Sequence, residues 1–180
     1  MIRAEHISRS FGDRRVLTDI SAVFEPGKTN LIIGKSGSGK TVFLKCLVGL
    51  LDVDEGEMYY NDIPFTRLDF LGKKELRKQM GMLFQGSALF DSMTVEENVR
   101  FPLDMFTGMS YREKLERVNF CLGRVNIENS NRLFPSELSG GMKKRVAIAR
   151  AIALKPRFLF CDEPNSGLDP KTAMLIDELI

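Results

Sequence analysis

Alternating apolar and polar positions open the chain. Residues 2–7 and 16–24 show this alternation, with turn residues at Gly12-Asp13 and Pro26-Gly27. A period of two is typical of strands that bury one face. Residues 1–28 therefore predict two or three antiparallel strands, and we expect residues of about 56–66 to join the same antiparallel β subdomain.

Three later runs are apolar without alternation, at residues 30–33, 80–84 and 158–161. Continuous hydrophobicity of this length is typical of strands buried on both faces of a parallel sheet. Polar residues follow each run, namely Gly34-Lys35, Gln85 and Asp162-Glu163. Ligands bind at the carboxyl edge of open parallel sheets, so the sequence predicts a ligand site where these strands end.

The stretch between the second and third runs predicts helices. Thr94 with Glu97, and Ser110 with Glu113, have capping-box spacing, and residues 142–154 contain no Gly or Pro. We expect one α/β domain over residues 1–180. Its core would comprise residues 29–85 and 156–180, with an inserted helical subdomain at about residues 86–155.

Composition and charge exclude several classes of protein. The 180 residues are 43% hydrophobic, which suits a single globular domain. The net charge of +2 supplies no strong field for nucleic acid or an anionic membrane. No apolar stretch approaches the ~20 residues that span a bilayer. Three cysteines in apolar surroundings predict reduced core thiols in a cytosolic protein, so we expect no nucleic-acid partner and only peripheral membrane association.

The strongest chemical signal is the G-x-x-x-x-G-K-[ST] pattern that follows the first apolar run. Its residues are Gly34, Lys35, Ser36, Gly37, Ser38, Gly39, Lys40 and Thr41. Glycines let backbone N–H groups surround phosphate oxygens, and the helix expected to run to about Leu50 adds positive potential. Lys40 would hold the β- and γ-phosphates, and Thr41 would offer a hydroxyl to Mg²⁺.

Together with the patterns of apolar positions, this loop resembles that of an α/β P-loop NTPase (RecA-like) core with a parallel sheet, to which the patterns add an N-terminal antiparallel β subdomain and an inserted helical subdomain. The alternative for the loop is a Gly/Ser-rich turn that carries a lysine by chance. GTPases and nucleotide kinases share the loop, so it predicts nucleotide binding without naming the reaction.

Two adjacent carboxylates end the third apolar run. Asp162 would hold Mg²⁺, usually through water, and Glu163 would polarise the hydrolytic water as a general base. Without the phosphate loop, an Asp-Glu-Pro sequence would more simply begin a solvated loop.

Residues 138–151 distinguish the families that share the phosphate loop. Ser139, Gly140 and Gly141 stand at a predicted helix N-terminus, a second element suited to a γ-phosphate. A helix cap alone would explain these three residues but not the run that follows them. The stretch resembles the signature motif of the ABC (ATP-binding cassette) ATPases, and the resemblance covers nearly the whole chain.

The resemblance implies roles for further residues. Gln85 matches the glutamine that contacts Mg²⁺, takes part in catalysis with Lys40 and Glu163, and lies near the transmembrane permease. Residues 166–169 match the loop that crosses the dimer interface, and Phe11 matches an aromatic that stacks on adenine, although such a ring is otherwise a core aromatic.

The family also implies the assembly and its location. Two copies dimerise head to tail, so that Ser139, Gly140 and Gly141 of one subunit contact the ATP held by the phosphate loop of the other. The family's location is the cytoplasmic face of the inner membrane, beside the permease.

Residues 81–99 and 135–142 look like those of Mla-type ATPases, which energise bacterial lipid transport with MCE-domain partners. This likeness implies phospholipid transport across the bacterial envelope. Two alternatives stay open, a non-transport ABC ATPase of DNA repair or translation and a nucleotide-binding module with little catalysis. The spacing of 54 positions from Gln85 to Ser139 favours transport, and Glu163 disfavours a pure binding module.

The family carries a switch histidine roughly thirty residues beyond residues 166–169, whereas this sequence ends at Ile180. The only histidine is His6, which we expect to be a half-exposed strand residue. The resemblance therefore predicts a C-terminally truncated chain that is dimeric or aggregation-prone, with ATP binding retained and turnover weak. Asn165, where the family often has Thr, is expected to matter little.

Overall fold

A computed structural model describes residues 1–168 and 170–177 of the chain. The chain divides into two compact units, residues 1–77 and residues 78–180. The subdomain boundaries drawn from the sequence stay a prediction.

An antiparallel sheet dominates the first unit. Its spatial order is β2-β1-β3-β4. The strands are β1 (Ile2–Phe11), β2 (Arg14–Phe24), β3 (Glu55–Tyr60) and β4 (Ile63–Pro64). Ile2 of β1 pairs with Phe24 of β2 on one side and with Tyr60 of β3 on the other. The antiparallel strands predicted from the alternation are confirmed.

Two helices accompany this sheet, α1 (Lys40–Leu47) and α2 (Phe70–Arg77). The ring of Phe43 on α1 lies 6.3 Å from that of Phe24 on β2, measured between centroids. The buried hydroxyl of Tyr60 donates to the carbonyl of Leu47 at 2.7 Å. These contacts join the helix that follows the phosphate loop to the sheet.

The strand predicted at residues 30–33 is wrong. These residues have no regular secondary structure, and the side chains of Leu31 and Ile33 are 80% and 88% exposed. No strand pairing among the described residues includes this run. A strand needs a neighbour to satisfy its backbone groups, and hydrophobicity alone does not supply one.

The other two apolar runs form a parallel pair in the second unit. Strand β5 (Met80–Leu83) lies beside β6 (Phe158–Cys161), with Met80 opposite Phe158 and Leu83 opposite Cys161. Burial on both faces is incomplete, because Leu159 is 37% exposed. The parallel arrangement predicted for these runs is confirmed, and it brings both carboxyl ends to the same edge.

Over its described residues, the second unit also has four helices. They are α3 (Val95–Phe106), α4 (Tyr111–Arg124), α5 (Gly140–Ile152) and α6 (Pro170–Asp177). Single 3₁₀ turns lie at Phe65–Arg67 in the first unit and Pro135–Glu137 in the second. The core packs Leu83 of β5 against Val95 and Val99 of α3, Val118 of α4 and Val146 of α5. Helix α5 packs against β5, and α3 and α4 pack against α5 and against each other.

Both predicted capping boxes are present. The N–H of Glu97 donates to the hydroxyl of Thr94 at 3.3 Å, and the N–H of Thr94 donates to the Glu97 carboxylate at 2.8 Å. The hydrogen bonds that the Glu97 carboxylate accepts from the N–H and the hydroxyl of Thr94 lower the pKa of Glu97. Ser110 and Glu113 make the same exchange at the start of α4. Each helix therefore begins where the sequence places its cap.

Replacing Thr94 with alanine should lower the free energy of unfolding by about 1 kcal/mol, because α3 loses its N-cap acceptor. Urea titration followed by circular dichroism measures the change. Thr94→Ser is the matched control, since serine keeps the hydroxyl and should remain within a few tenths of a kcal/mol. Equal stability of Thr94→Ala and the wild type would contradict the capping role.

All three cysteines are free thiols in the structure. Cys46 and Cys121 are buried, and Cys161 is partly buried. Burial raises the pKa of the Cys46 and Cys161 thiols to about 11. Among the described helices, none combines the length and apolar character needed to span a bilayer.

Candidate nucleotide site

The phosphate loop lies in the first unit, between the irregular run and α1. Its residues from Gly34 to Ser38 are exposed. The ammonium of Lys40 donates to the carbonyls of Gly34 at 2.9 Å and Lys35 at 3.0 Å, and the N–H of Ser38 donates to the carbonyl of Lys35 at 3.2 Å. The loop thus curls back on the lysine of its own motif.

Two glycines allow this shape. Gly37 has φ 74° and Gly39 has φ 95°, values that disfavour residues with a Cβ. A Cβ at Gly39 would also stand 3.0 Å from Leu17 Cδ2 and 3.2 Å from the Val16 carbonyl oxygen. Glycine at position 39 therefore serves both the turn and the close approach of β2.

Phe11 at the end of β1 and Thr41 at the end of the loop are two further predicted site residues of the first unit. Phe11 ends β1 and is 45% exposed, with the guanidinium carbon of Arg9 5.1 Å from its ring centroid. The ring is therefore not a core aromatic, which removes the alternative considered for it. Thr41 is the second residue of α1 and is half-buried.

Gln85 and the acidic pair meet in the second unit, beyond the ends of β5 and β6. The side-chain amide of Gln85 donates to a Glu163 carboxylate oxygen at 2.8 Å. The backbone N–H of Asp162 donates to the carbonyl of Leu83 at 2.9 Å. The carboxyl ends of β5 and β6 therefore bring the side chains of Gln85 and Glu163 together.

The two carboxylates differ in exposure. Asp162 is 6% exposed, whereas Glu163 is exposed and has φ 47°. Positive φ is uncommon for a residue with a Cβ and marks a tight local constraint. Burial of Asp162 argues against the alternative of a fully solvated acidic loop.

Sequence reasoning missed Lys144 on α5, which is only 3% exposed. Its ammonium donates to the carbonyl of Gln85 at 2.5 Å and to that of Glu163 at 3.3 Å. Burial lowers the pKa of Lys144, while the charges of Asp162, Cys161 and Glu163 act in the opposite direction. The sequence does contain a signal for this burial. Lys144 lies three residues before Ala147 and four before Ile148, so it shares a helix face with residues that are buried and apolar.

Arg150, also on α5, was missed as well. It donates to the carbonyls of Ser87 at 2.9 Å and Ala88 at 2.8 Å. Ser87 has φ 64° and Ala88 has φ 49°. Burial lowers the pKa of Arg150. This arginine holds the segment after Gln85 in a left-handed conformation that sequence periodicity does not reveal.

The predicted second anion-binding element lies at the N-terminus of α5. Ser139 is the N-cap, and its hydroxyl accepts from the N–H of Met142 at 3.2 Å. Ser139 and Gly140 are exposed and Gly141 is half-buried. A Cβ at Gly140 would meet nothing within 4 Å, so the space beside this helix end is open.

Two further predictions concern His6 and residues 166–169. His6 is exposed rather than half-exposed, and its Nδ1 lies 2.6 Å from an Asp19 carboxylate oxygen. It has φ 55° and lies in an irregularity of the β1–β2 pairing. Of residues 166–169, the last, Asp169, lies outside the described residues.

The predicted site residues are divided between the two units. Phe11 and residues 34–41 belong to the first, and Gln85, Ser139, Asp162 and Glu163 belong to the second. Thr41, Gln85 and Asp162 offer hydroxyl, amide and carboxylate oxygens, the donor types that suit Mg²⁺. Across residues 1–168 and 170–177, no group of three His, Cys, Asp or Glu side chains is placed to hold a metal.

The sequence matches a family whose description is ABC transporter, over residues 17–166. It is 41% identical to the methionine import ATP-binding protein MetN of Clostridium tetani, covering 100% of this chain and 56% of that protein. It is 37% identical to a probable ribonucleotide transport ATP-binding protein, mkl, of Mycobacterium bovis, covering 99% and 50%. The chain thus spans about half the length of these relatives.

Solved structures of ABC transporter cassettes have the same fold as this chain. The dimeric structure of MJ0796, described as a bacterial ABC transporter cassette, superposes with a TM-score of 0.92 at 33% identity. That match covers 99% of this chain and 81% of the other. A second MJ0796 structure, a dimeric post-hydrolysis state bound to ADP and Pi, gives 0.90 at 32% identity, with coverage of 99% and 81%. The predicted α/β cassette fold is confirmed.

Proposed function

Because this chain belongs to the ABC transporter family, we propose that it binds and hydrolyses ATP as the energy-supplying subunit of a transporter. The observation that carries the proposal is the exposed Glu163 carboxylate, fixed by Gln85 at the shared edge of β5 and β6. A solvent-facing carboxylate in that position suits a general base for water.

The phosphate loop would bind the triphosphate. Lys40 already has its ammonium among loop carbonyls, and phosphate oxygens would offer it stronger, charged acceptors. Thr41, Asp162 and Gln85 would hold Mg²⁺, which would supply positive charge beside the triphosphate. In this proposal Phe11 stacks on adenine, and its exposed ring leaves a face free for that contact.

We further propose that two copies act together. The open helix end at Ser139, Gly140 and Gly141 of one copy would receive the γ-phosphate held by the other. The dimeric structure of MJ0796 supports this arrangement. ATP would then bias an equilibrium between open and closed dimers. The permease would contact the dimer near Gln85 and would change conformation as the dimer opens and closes.

Steady-state release of phosphate from ATP tests the enzymatic proposal. We expect the purified protein to release phosphate from ATP with Mg²⁺ and to stop when EDTA removes the metal. Wild-type protein that binds ATP but releases no phosphate would favour the binding-module alternative. Transfer of the phosphoryl group to a second substrate would instead indicate a kinase.

For the transported substrate we propose phospholipid, with the protein peripheral at the cytoplasmic face of a bacterial membrane. The likeness of residues 81–99 and 135–142 to Mla-type ATPases supports it. Methionine is a second candidate, because relatives named for methionine import are 41% identical to this chain.

Isolation of the subunit with its native permease separates these candidates. ATP hydrolysis by the isolated complex should rise when phospholipid vesicles are supplied and should not respond to methionine. A rise with methionine alone would replace phospholipid with an amino acid as the substrate. A non-transport ATPase would be isolated without any membrane protein.

A further inference from the structure

A buried ammonium links Gln85 and Glu163, two of the residues that the proposed chemistry uses in the second unit. Lys144 lies on α5, and it is 3% exposed. Its acceptors are backbone carbonyls, that of Gln85 just beyond β5 and that of Glu163 just beyond β6. One side chain thus joins the ends of both strands.

The hydrogen bonds of Lys144 help to set the orientation of the Glu163 carboxylate. Glu163 has φ 47°, a conformation that a residue with a Cβ adopts when its surroundings hold it. The hydrogen bond from Lys144 to the Glu163 carbonyl is one such restraint, and the Gln85 amide restrains the carboxylate from the other strand. Because Lys144 also holds the Gln85 backbone, a single group sets the relative position of both partners.

Burial of an ammonium without a partner is costly, and buried charges are normally paired or hydrogen-bonded. Here the carbonyls of Gln85 and Glu163 supply the hydrogen bonds, and the carboxylate of Asp162 lies close enough to favour the charged form. The energetic cost of burial is therefore offset only while the two strand ends stay together. An apolar residue at position 144 would fill the space without drawing them together.

We infer that Lys144 is a positioning residue that holds the Glu163 carboxylate against the Gln85 amide, an inference that rests on the proposed ATPase function. It acts through Glu163 and touches neither nucleotide nor water in this role. Loss of its charge should impair the chemical step and leave nucleotide affinity unchanged, because the phosphate loop is built by other residues.

The test compares Lys144→Met with Lys144→Arg in the full chain. Methionine keeps a similar length without charge or donors, whereas arginine keeps both. We expect Lys144→Met to lower kcat for ATP at least 10-fold with KM and ATP affinity changed less than twofold. Lys144→Arg should restore kcat to within threefold of the wild type. Lys74→Met, at an exposed site on α2, is the control for removal of a lysine and should leave kcat unchanged.

A second measurement does not depend on activity. The side-chain amide signal of Gln85 in a ¹H–¹⁵N spectrum, assigned from its loss in Gln85→Glu, should move in Lys144→Met and stay in place in Lys144→Arg. If the wild type releases no phosphate but this signal moves as expected, the ATPase proposal fails and the positioning role stands. An unmoved signal in a folded Lys144→Met protein overturns the positioning role, whatever happens to kcat. If Lys144→Met does not fold, a displaced Gln85 signal in Lys144→Gln supports the role, and an unchanged one overturns it.

Discussion

Replacing Glu163 with glutamine should lower ATP turnover roughly 100- to 10,000-fold, the range that a general base contributes. The amide has the shape of the carboxylate and keeps an oxygen that can accept from Gln85, whose side chain donates to Glu163 at 2.8 Å. It cannot take a proton from water. ATP binding and dimerisation should therefore persist, and the variant should accumulate in an ATP-bound dimer, which size-exclusion chromatography with ATP and Mg²⁺ would detect.

Glu128→Gln is the matched control for this experiment. Glu128 is exposed, lies in the same unit and has no place in the proposed chemistry. Its turnover should equal that of the wild type. Turnover of Glu163→Gln at the wild-type rate would remove Glu163 from the reaction, and simultaneous loss of ATP binding would give it a role in holding the nucleotide instead.

Replacing Lys40 with alanine should weaken ATP binding roughly 10- to 100-fold, because a hydrogen bond to a charged group contributes about 1.5–3 kcal/mol. The ammonium now lies 2.9 Å and 3.0 Å from two loop carbonyls, so its loss also removes the contacts that shape the loop. Isothermal titration with ATP, in the presence and absence of Mg²⁺, measures the change.

Measuring the affinities of Lys40→Ala for ADP and AMP as well shows which phosphates Lys40 holds. A residue that holds the β- and γ-phosphates should matter for ATP and ADP and should leave AMP binding nearly unaffected. Lys74→Ala on the surface of α2 serves as the charge control. Unaltered ATP affinity in Lys40→Ala would mean that residues 34–41 are a turn without a nucleotide role.

Local signals in the sequence located most elements. The alternation in residues 2–7 and 16–24 placed two strands, and the capping boxes placed the starts of α3 and α4, because each depends on residues only a few positions apart. The apolar run at residues 30–33 failed for the opposite reason. A strand exists only where another strand supplies hydrogen bonds, and no local pattern records that neighbour.

The sequence by itself determined that a phosphate loop precedes a helix, that Ser139 begins another helix, and that an acidic pair ends a strand. Only the tertiary structure decided that Gln85 donates to Glu163, that Arg150 shapes the segment after Gln85, and that Lys144 joins the ends of β5 and β6. These contacts connect residues 19 to 78 positions apart. Such pairs are set by how helices and strands pack, and that packing depends on the whole unit.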